Sequence, residues 1–309
     1  MLEKQIHVEI VSPVHNRREI TLQCLRSLRR INRTNLKVHI IIVDDGSTDG
    51  TSEAIEEQFP EAEIIRGDGN LWFTAGSNLG FERALEYHPD YVLLINDDTV
   101  FDENFLQYLV ECAQSNPGSA VGGVLLLWDT PHKVFQVAPK FDVWYGGWRH
   151  LQQQTVWTIP EKPFEVDFIA GNCILFPAEI FRQIGLMNAK QFPHYADAEF
   201  TPRIKKNGWR LLIEPRARIF NQPNTTGSLG KMSVRQKYQA LWGDLRKQQN
   251  LRTRLMMYWV GAPTKFHAVA AWTIYTIRLG LKSCGFNRNW ETAQWRGEKP
   301  LREEYSSKI

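Results

Sequence analysis

"YVLLINDDTVF" (residues 91–101) runs five mostly apolar residues straight into Asn96, Asp97 and Asp98. A run without polar alternation, bounded by turn formers, suits a strand covered on both faces. Two adjacent carboxylates at its end repel each other, and a nearby low-dielectric core makes both harder to ionise. The pattern calls for something positive at that edge of the sheet.

The sequence before it supplies the rest of an alternating fold. "HVEIVSPV" (7–14) reads as a strand, and residues 17–31 as a helix with Ile20, Cys24, Leu25, Leu28 and Ile31 on one face. "KVHIIIVDDGSTDGT" (37–51) is a second apolar strand that runs into a second acidic turn, Asp44-Asp45-Gly46. Thr48 and Asp49 are placed to cap the helix that follows. A short strand at 62–68, a helix at 75–88 and the strand at 91–97 complete the first half. Strands alternating with helices predict an α/β fold with a mostly parallel sheet flanked by helices. Beyond Thr99 the reading gives a helix at 102–114, a strand at 120–128, an aromatic irregular stretch at 129–165, and strands again from 164.

Both acidic turns fall at carboxyl ends of strands, the edge where open α/β sheets bind ligands. A pair of aspartates there can hold a divalent cation that substrate phosphates and water complete. The competing reading is that Asp44, Asp45, Asp97 and Asp98 are turn formers and caps only. Other nucleotide folds fit less well. "GDGNLW" has GxG without a third glycine or a helix start, and no GxxxxGK[ST] occurs. A receiver domain would carry its acidic pair after the first strand, where "VSPVHNR" stands. A nucleotidyltransferase would show a glycine-rich loop in that place.

Six stretches, in order, resemble the motifs of the family 2 inverting glycosyltransferases, most of all the rhamnosyl- and galactofuranosyltransferase-like branch. They are "VSPVHNRREITLQCLRSL", "IIVDDGSTDGT", "GNLWFTAGSNLGFERAL", "LLINDDTVF", "GNCILFPAEIFRQIG" and "YADAEFTPRIKKNGWRLL", and they span about residues 7–225. The resemblance implies a GT-A fold that binds a dTDP- or UDP-sugar and passes the sugar to a saccharide or lipid-linked saccharide in surface-polysaccharide assembly. Carried over by position, Pro13, Asn16, Arg17, Asp44, Asp45, Gly46, Asn70, Trp72, Asn78 and Asp97 would form the donor site. Asp98, with Asp97, would hold Mg²⁺ or Mn²⁺. Asp197 would be the base that takes the acceptor hydroxyl's proton, with Glu199 toward the acceptor or packing locally; His194, three residues earlier, would be a partner behind the base or, the more frequent case, a lone surface histidine. The branch suggests dTDP-rhamnose as donor. A catalytically silent nucleotide-sugar or glycan-binding protein on the same scaffold is the alternative.

Two features depart from or lie outside the motifs. Where the family often has a histidine after the "GWR" strand, this chain has Asn221, a weaker candidate for a third metal ligand. Trp144 and Trp148 lie in the irregular stretch, where they could stack on acceptor sugars or fill a core.

Length and composition fit one α/β domain, residues 1–229, with a nucleotide half to about 100 and an acceptor half beyond it. A helical basic region, 230–309, follows. That region holds 15 Lys and Arg against 5 Asp and Glu, so the remainder is acidic within a net charge of +3. Pro263, Lys265, His267 and Arg278 interrupt its apolar stretches, which excludes a spanning helix of about 20 apolar residues. Contact with an anionic membrane surface is expected instead, or a self-associating helical pair that would make a homodimer. No nucleic-acid module is recognisable. Four scattered cysteines without CxxC and a charged N-terminus predict a cytoplasmic protein, peripheral on the inner membrane face.

Overall fold

The computed structural model describes residues 5–137, 140–149, 154–221, 232–247 and 249–283. Strands β1 (Ile6–Val14), β2 (Leu36–Asp44), β3 (Ala62–Arg66) and β4 (Tyr91–Ile95) run parallel in the order β3-β2-β1-β4. Parallel neighbours need crossover connections, usually helices, here α1 (Arg18–Arg29), α2 (Thr51–Gln58) and α3 (Trp72–Glu86). Val14 pairs with Asp44, and Asp44 with Arg66, so the three strands end level and present one carboxyl edge.

Successive strand residues point to opposite faces, and each face buries its own apolar layer. Ile10, Ile42 and Leu93 pack with Leu22, Leu25 and Leu28 of α1 and with Phe105 and Leu109 of α4 (Phe105–Ser115). Val11, Ile41 and Val43 pack on the other side with Phe81 of α3. Ile20, expected in the α1 core, is 36% exposed. Gly80 lets α3 settle onto the sheet, because a Cβ there would overlap Val11 Cγ1.

Past β4 the chain turns at Asp97-Asp98 into β5 (Thr99–Phe101), which pairs antiparallel with β12 (Arg210–Asn221), Thr99 opposite Asn221. The sheet widens beyond β4 through β11 (Cys173–Pro177), β6 (Ser119–Leu127) and β12 to ten strands among the described residues. Of these three, β11 alone runs against the rest, so the sheet is mixed but mostly parallel. The stretch read as irregular contains short strands, β7 (Val134–Gln136), β8 (Lys140–Asp142) and β9 (Gly147–Arg149), while β10 (Phe164–Glu165) begins where strands were expected again. Runs of two or three residues are too short to show alternation. α3 begins three residues earlier than its periodicity suggests, because the Trp72 amide is anchored by Asp45. Asp49 accepts from the Thr51 amide at the head of α2, while Thr48 faces Asn16 instead.

Helices α5 (Glu179–Ile184) and α6 (Asp197–Lys206) precede β12. The C-terminal part supplies α7 (Val234–Tyr238), a single π-helical turn at 239–243, α8 (Leu251–Gly261) and α9 (Lys265–Ser283). Met257, Tyr258, Ala262, Ala268 and Ala271 share the apolar cluster of Val11 and Phe81. The Tyr258 hydroxyl donates to the Gly146 carbonyl at 2.7 Å, and Trp272 Nε1 to the Leu251 carbonyl at 2.8 Å. α8 and α9 are thus built into the core. The domain boundary expected near 229 lies outside the described residues.

Candidate active site

The positive group beside the acidic pair is Arg17, at the head of α1. Its Nη1 donates to Asp98 Oδ2 at 3.0 Å and to Asp97 Oδ1 at 3.3 Å. One turn further along, Thr21 donates its hydroxyl to Asp97 Oδ2 at 3.2 Å. Asp97 is 6% exposed, and burial pushes its carboxyl up to about 6 despite the attraction of Arg17, with Asp98 adding repulsion. Asp98 is held from the other side by Asn221, whose Nδ2 donates to its Oδ1 at 3.0 Å and its carbonyl at 3.2 Å. The β5–β12 register thus delivers Asn221 to the acidic pair.

The second acidic turn is wired inward. Asp44 accepts from the Ser47 amide at 2.9 Å and from the Ser52 hydroxyl, so both its oxygens are taken by protein donors. Asp45 accepts from the amides of Gly69, Leu71 and Trp72 at 2.9, 3.1 and 2.8 Å. Gly46 sits at φ +68°, and a Cβ there would stand 2.9 Å from Gly69 N, which locks this turn against the 67–72 loop. Asn16 stitches the β1 loop to the same turn, accepting from the Thr48 amide at 2.8 Å and donating its own amide to Ser47 Oγ at 2.8 Å. Pro13 lies under α3 beside Gly76. The edge is a set of interlocked loops with Trp72, 39% exposed, at its rim.

Asn70 and Asn78 take other places. Asn70 is exposed and, among the described residues, bonds to Asp68 in its own turn. Asn78 spends both ends of its amide on the Met187 backbone, at 2.8 and 3.1 Å, so it ties α3 to the 185–188 loop rather than facing a ligand.

Asp197 opens α6, where backbone amides favour a carboxylate. Its Oδ2 accepts from the Gly171 amide at 2.8 Å. Burial raises its proton affinity above the usual carboxylate range, against that amide and those of Ala198 and Asp197 itself. The next residue, Asn172, accepts through its carbonyl from the Asn96 amide at 3.2 Å. The dipeptide Gly171-Asn172 therefore joins the strand end bearing Asp97-Asp98 to Asp197. α3 closes in on the same place: Thr74 N donates to the Pro193 carbonyl at 3.0 Å, and the Trp72 ring meets the His194 ring edge-on at 5.4 Å.

The model of "Glycosyl transferase family 2" matches residues 9–185, more than half of the chain. The chain belongs to that family. It is an inverting glycosyltransferase that takes its sugar from a nucleotide-sugar. A curated relative is the N-acetylglucosaminyl-diphospho-decaprenol L-rhamnosyltransferase of Mycobacterium tuberculosis, 23% identical over 217 residues, covering 63% of this chain and 70% of that protein. Among solved structures, GalNAc-T7 with UDP, GalNAc and Mn²⁺ superposes at TM-score 0.60 and 12% identity, covering 92% of this chain. The chain spans 58% of the GalNAc-T7 chain's length. TarS 1-349 of S. aureus superposes at TM-score 0.54 and 12% identity, covering 96% of this chain and 98% of that one. These likenesses establish the GT-A fold.

Against a family 2 site, the donor set at the acidic pair suits a hard divalent cation. Two carboxylates lie side by side, bridged by the Arg17 guanidinium, and Asn221 turns its Nδ2 to Asp98 rather than offering an oxygen. Among the described residues no three His, Cys, Asp or Glu gather to hold a metal. An open set of this kind suits Mg²⁺ or Mn²⁺ completed by phosphates and water.

The expected acceptor residues fare differently. Trp148 is 8% exposed, stacks on Phe168 at 5.5 Å and meets Phe141 edge-on, so it is a core residue and offers no sugar platform. Trp144 is 87% exposed, in the turn whose next residue, Tyr145, receives Arg278 of α9. Glu199 is buried and paired with Arg203 Nε at 2.7 Å, while Arg203 also donates to the carbonyls of Ile184 and Leu186. It packs locally. Three contributors escaped the sequence reading. Thr21 is four residues from Arg17, a spacing that puts both on one helix face. Gly171 contributes only a backbone amide, which no side-chain pattern reveals. Arg246, whose guanidinium lies 4.5 Å over the Trp72 ring, comes from the far end of the chain.

Proposed function

We propose that this family 2 enzyme transfers rhamnose from dTDP-rhamnose to a saccharide, in the assembly of a surface polysaccharide. The chemical part rests on one observation: Gly171-Asn172 bonds to Asp197 on one side and to the strand end of Asp97-Asp98 on the other. A base and a diphosphate site on either side of one dipeptide is the layout an inverting displacement needs. Rhamnose is favoured by likeness to the mycobacterial enzyme, whose name gives an L-rhamnosyl group and a diphospho-decaprenol acceptor. By the same likeness, and because the basic region 230–309 suits an anionic membrane, the acceptor is a lipid-linked saccharide.

In this reading Asp197 takes the proton of the acceptor hydroxyl as its oxygen forms a bond to C1 of the sugar. The bond from C1 to the diphosphate oxygen breaks on the opposite face, and the configuration inverts. A carboxyl with raised proton affinity suits that task, because a base nearer the working pH transfers protons more efficiently. Arg17 turns from the acidic pair toward the diphosphate, and Asp98 with Asp97 would hold Mg²⁺ or Mn²⁺, Asn221 standing by. Bound there, the cation would neutralise charge on the departing diphosphate. Asp45 and Gly46 keep the 67–72 loop in place beside the nucleotide.

Calorimetry with a panel of dTDP- and UDP-sugars, with Mg²⁺ or Mn²⁺, tests the donor. Tightest binding of dTDP-rhamnose is expected. Preference for a UDP-hexose would remove the rhamnose assignment, and binding unaffected by either metal would remove the cation site. Product NMR must show inversion, with Asp197→Asn inactive yet still binding donor. Undiminished transfer by that variant would remove the base.

A further inference from the structure

Helix α9 carries a face that the transfer reaction does not use. Phe266, Val269, Ile277 and Leu281 are 79%, 45%, 57% and 51% exposed. Their spacings of three, eight and four residues put them on one side of a helix that advances about 100° per residue. Thr273, also exposed, fills the gap between them. The opposite side holds Ala268 and Ala271, buried in the core that α8 and the sheet share. The helix thus carries a second apolar stripe, which faces outward.

The surroundings of the stripe are basic. No Asp or Glu occurs in the sequence between Asp244 and Glu291; of the cations there, Arg246 is spent on Asp244 and Trp72 and Arg254 lies against Tyr258 and Tyr275, while Lys265 and Arg278 stand on α9 itself. Lys265 and Arg278 leave the helix on either side of the stripe. The Lys265 ammonium sits 5.1 Å over the ring of Trp259, itself 45% exposed, and the Arg278 guanidinium 4.5 Å over Tyr145, next to the 87% exposed Trp144. Exposed apolar residues flanked by cations, with indole rings at the margin, match the boundary between lipid headgroups and acyl chains. A protein partner would need acidic side chains matched to both margins, whereas an anionic leaflet supplies counter-charge all along them. Among the described residues no helix is long and apolar enough to cross a membrane.

We infer that α9 lies flat on an anionic lipid surface, inserting Phe266, Val269, Ile277 and Leu281 between headgroups that Lys265 and Arg278 neutralise. The inference makes no assumption about the sugar, the base or the metal. A face of this kind strengthens partition roughly five-fold for each cation near an anionic leaflet, and apolar insertion adds to it.

The test is co-sedimentation of the full chain with vesicles of phosphatidylcholine alone or of equal parts phosphatidylcholine and phosphatidylglycerol. Binding to the mixed vesicles only, weakened by high salt, is expected. Phe266→Ser combined with Ile277→Ser should cut that binding by about tenfold or more, and Lys265→Glu should cut it while leaving the stripe intact. An unchanged melting temperature shows that the exposed substitutions leave the fold alone. Unaltered vesicle binding by both variants overturns the assignment. So does a concentration-dependent dimer, seen by light scattering, that the serine variant abolishes while vesicles bind neither protein.

Discussion

Arg17 Nη1 lies 3.0 Å from Asp98 Oδ2 and 3.3 Å from Asp97 Oδ1, so one guanidinium spans the pair expected to hold a cation. A metal ion and Arg17 cannot both neutralise these carboxylates at full strength. Arg17→Gln should therefore bind Mn²⁺ more tightly in the absence of nucleotide, by about tenfold if one charge-assisted hydrogen bond is relieved. The same change should lower the melting point of the metal-free protein, because it leaves two acids facing each other in a nearly sealed site. Arg17 is 37% exposed, so about 2 kcal/mol is expected rather than the larger cost of a fully buried pair. Manganese titration by electron paramagnetic resonance reads the first effect and thermal melts the second. Unchanged affinity for the ion would mean that Arg17 does not compete for the site.

As the proposed base, Asp197 would act only as a carboxylate. Burial raises its proton affinity, so the acid limb of kcat/KM should lie above the ordinary aspartate value of about 3.9. The sign is fixed: activity falls as pH drops through the raised value, since protonation removes the base. Asp197→Asn should lower kcat by about 10²–10⁴ with donor affinity kept. A pH profile of transfer together with calorimetry on the variant checks both. If the acid limb sat at the ordinary value, burial would not be tuning this group.

The sequence made the strand-end acids legible because their signal is local: an apolar run followed at once by charge. The alternation of β1 to β4 with α1 to α3 was legible for the same reason. Orientation was not. Asn78 and Trp148 are residue types that bind sugars, yet the Met187 backbone claims one and Phe168 the other, through contacts 109 and 20 positions away. The sequence points to a metal beside Asp97-Asp98 and hides Arg17 as their partner, because Arg17 lies 80 residues upstream. The strands β7 to β9 are shorter than the period that would reveal them. Near the C-terminus, Met257 and Tyr258 are buried among cationic neighbours, so charge density concealed a core-forming helix.

Asp45 should govern donor binding without touching the chemistry. It gathers three backbone amides from the 69–72 loop, and these position Trp72. Asn in its place would turn an amide N–H toward one of those donors. Asp45→Asn should then cost about 2–3 kcal/mol, the range for losing hydrogen bonds to a charged acceptor. The donor KM should rise, with kcat changed much less. Urea melts and steady-state kinetics with varied donor make the comparison. A fall in kcat at constant KM would place Asp45 in the reaction itself.

Asp97 offers a test that needs no substrate. In the fold its carboxyl is pushed up to about 6 from 3.8, chiefly by burial. A group whose proton affinity is raised by folding stabilises the native state when protonated. That contribution is complete below about pH 4 and disappears as pH rises through 6. A rise of this size corresponds to something on the order of 3 kcal/mol. The metal-free protein should therefore lose part of its stability between pH 5 and pH 7, unlike a paired surface acid, which gains over its own range. Asp97→Asn removes the titration while keeping shape and volume, so its melting temperature should change less over that interval. Added Mn²⁺ should reverse the order, raising the wild-type melting point more at pH 7, where the carboxylate is ionised, than at pH 5. Melts across this range for both proteins decide the matter. If wild type and variant trace the same slope without metal, then Asp97 is already ionised at pH 5, and the attraction of Arg17 outweighs the burial that separates the pair from water.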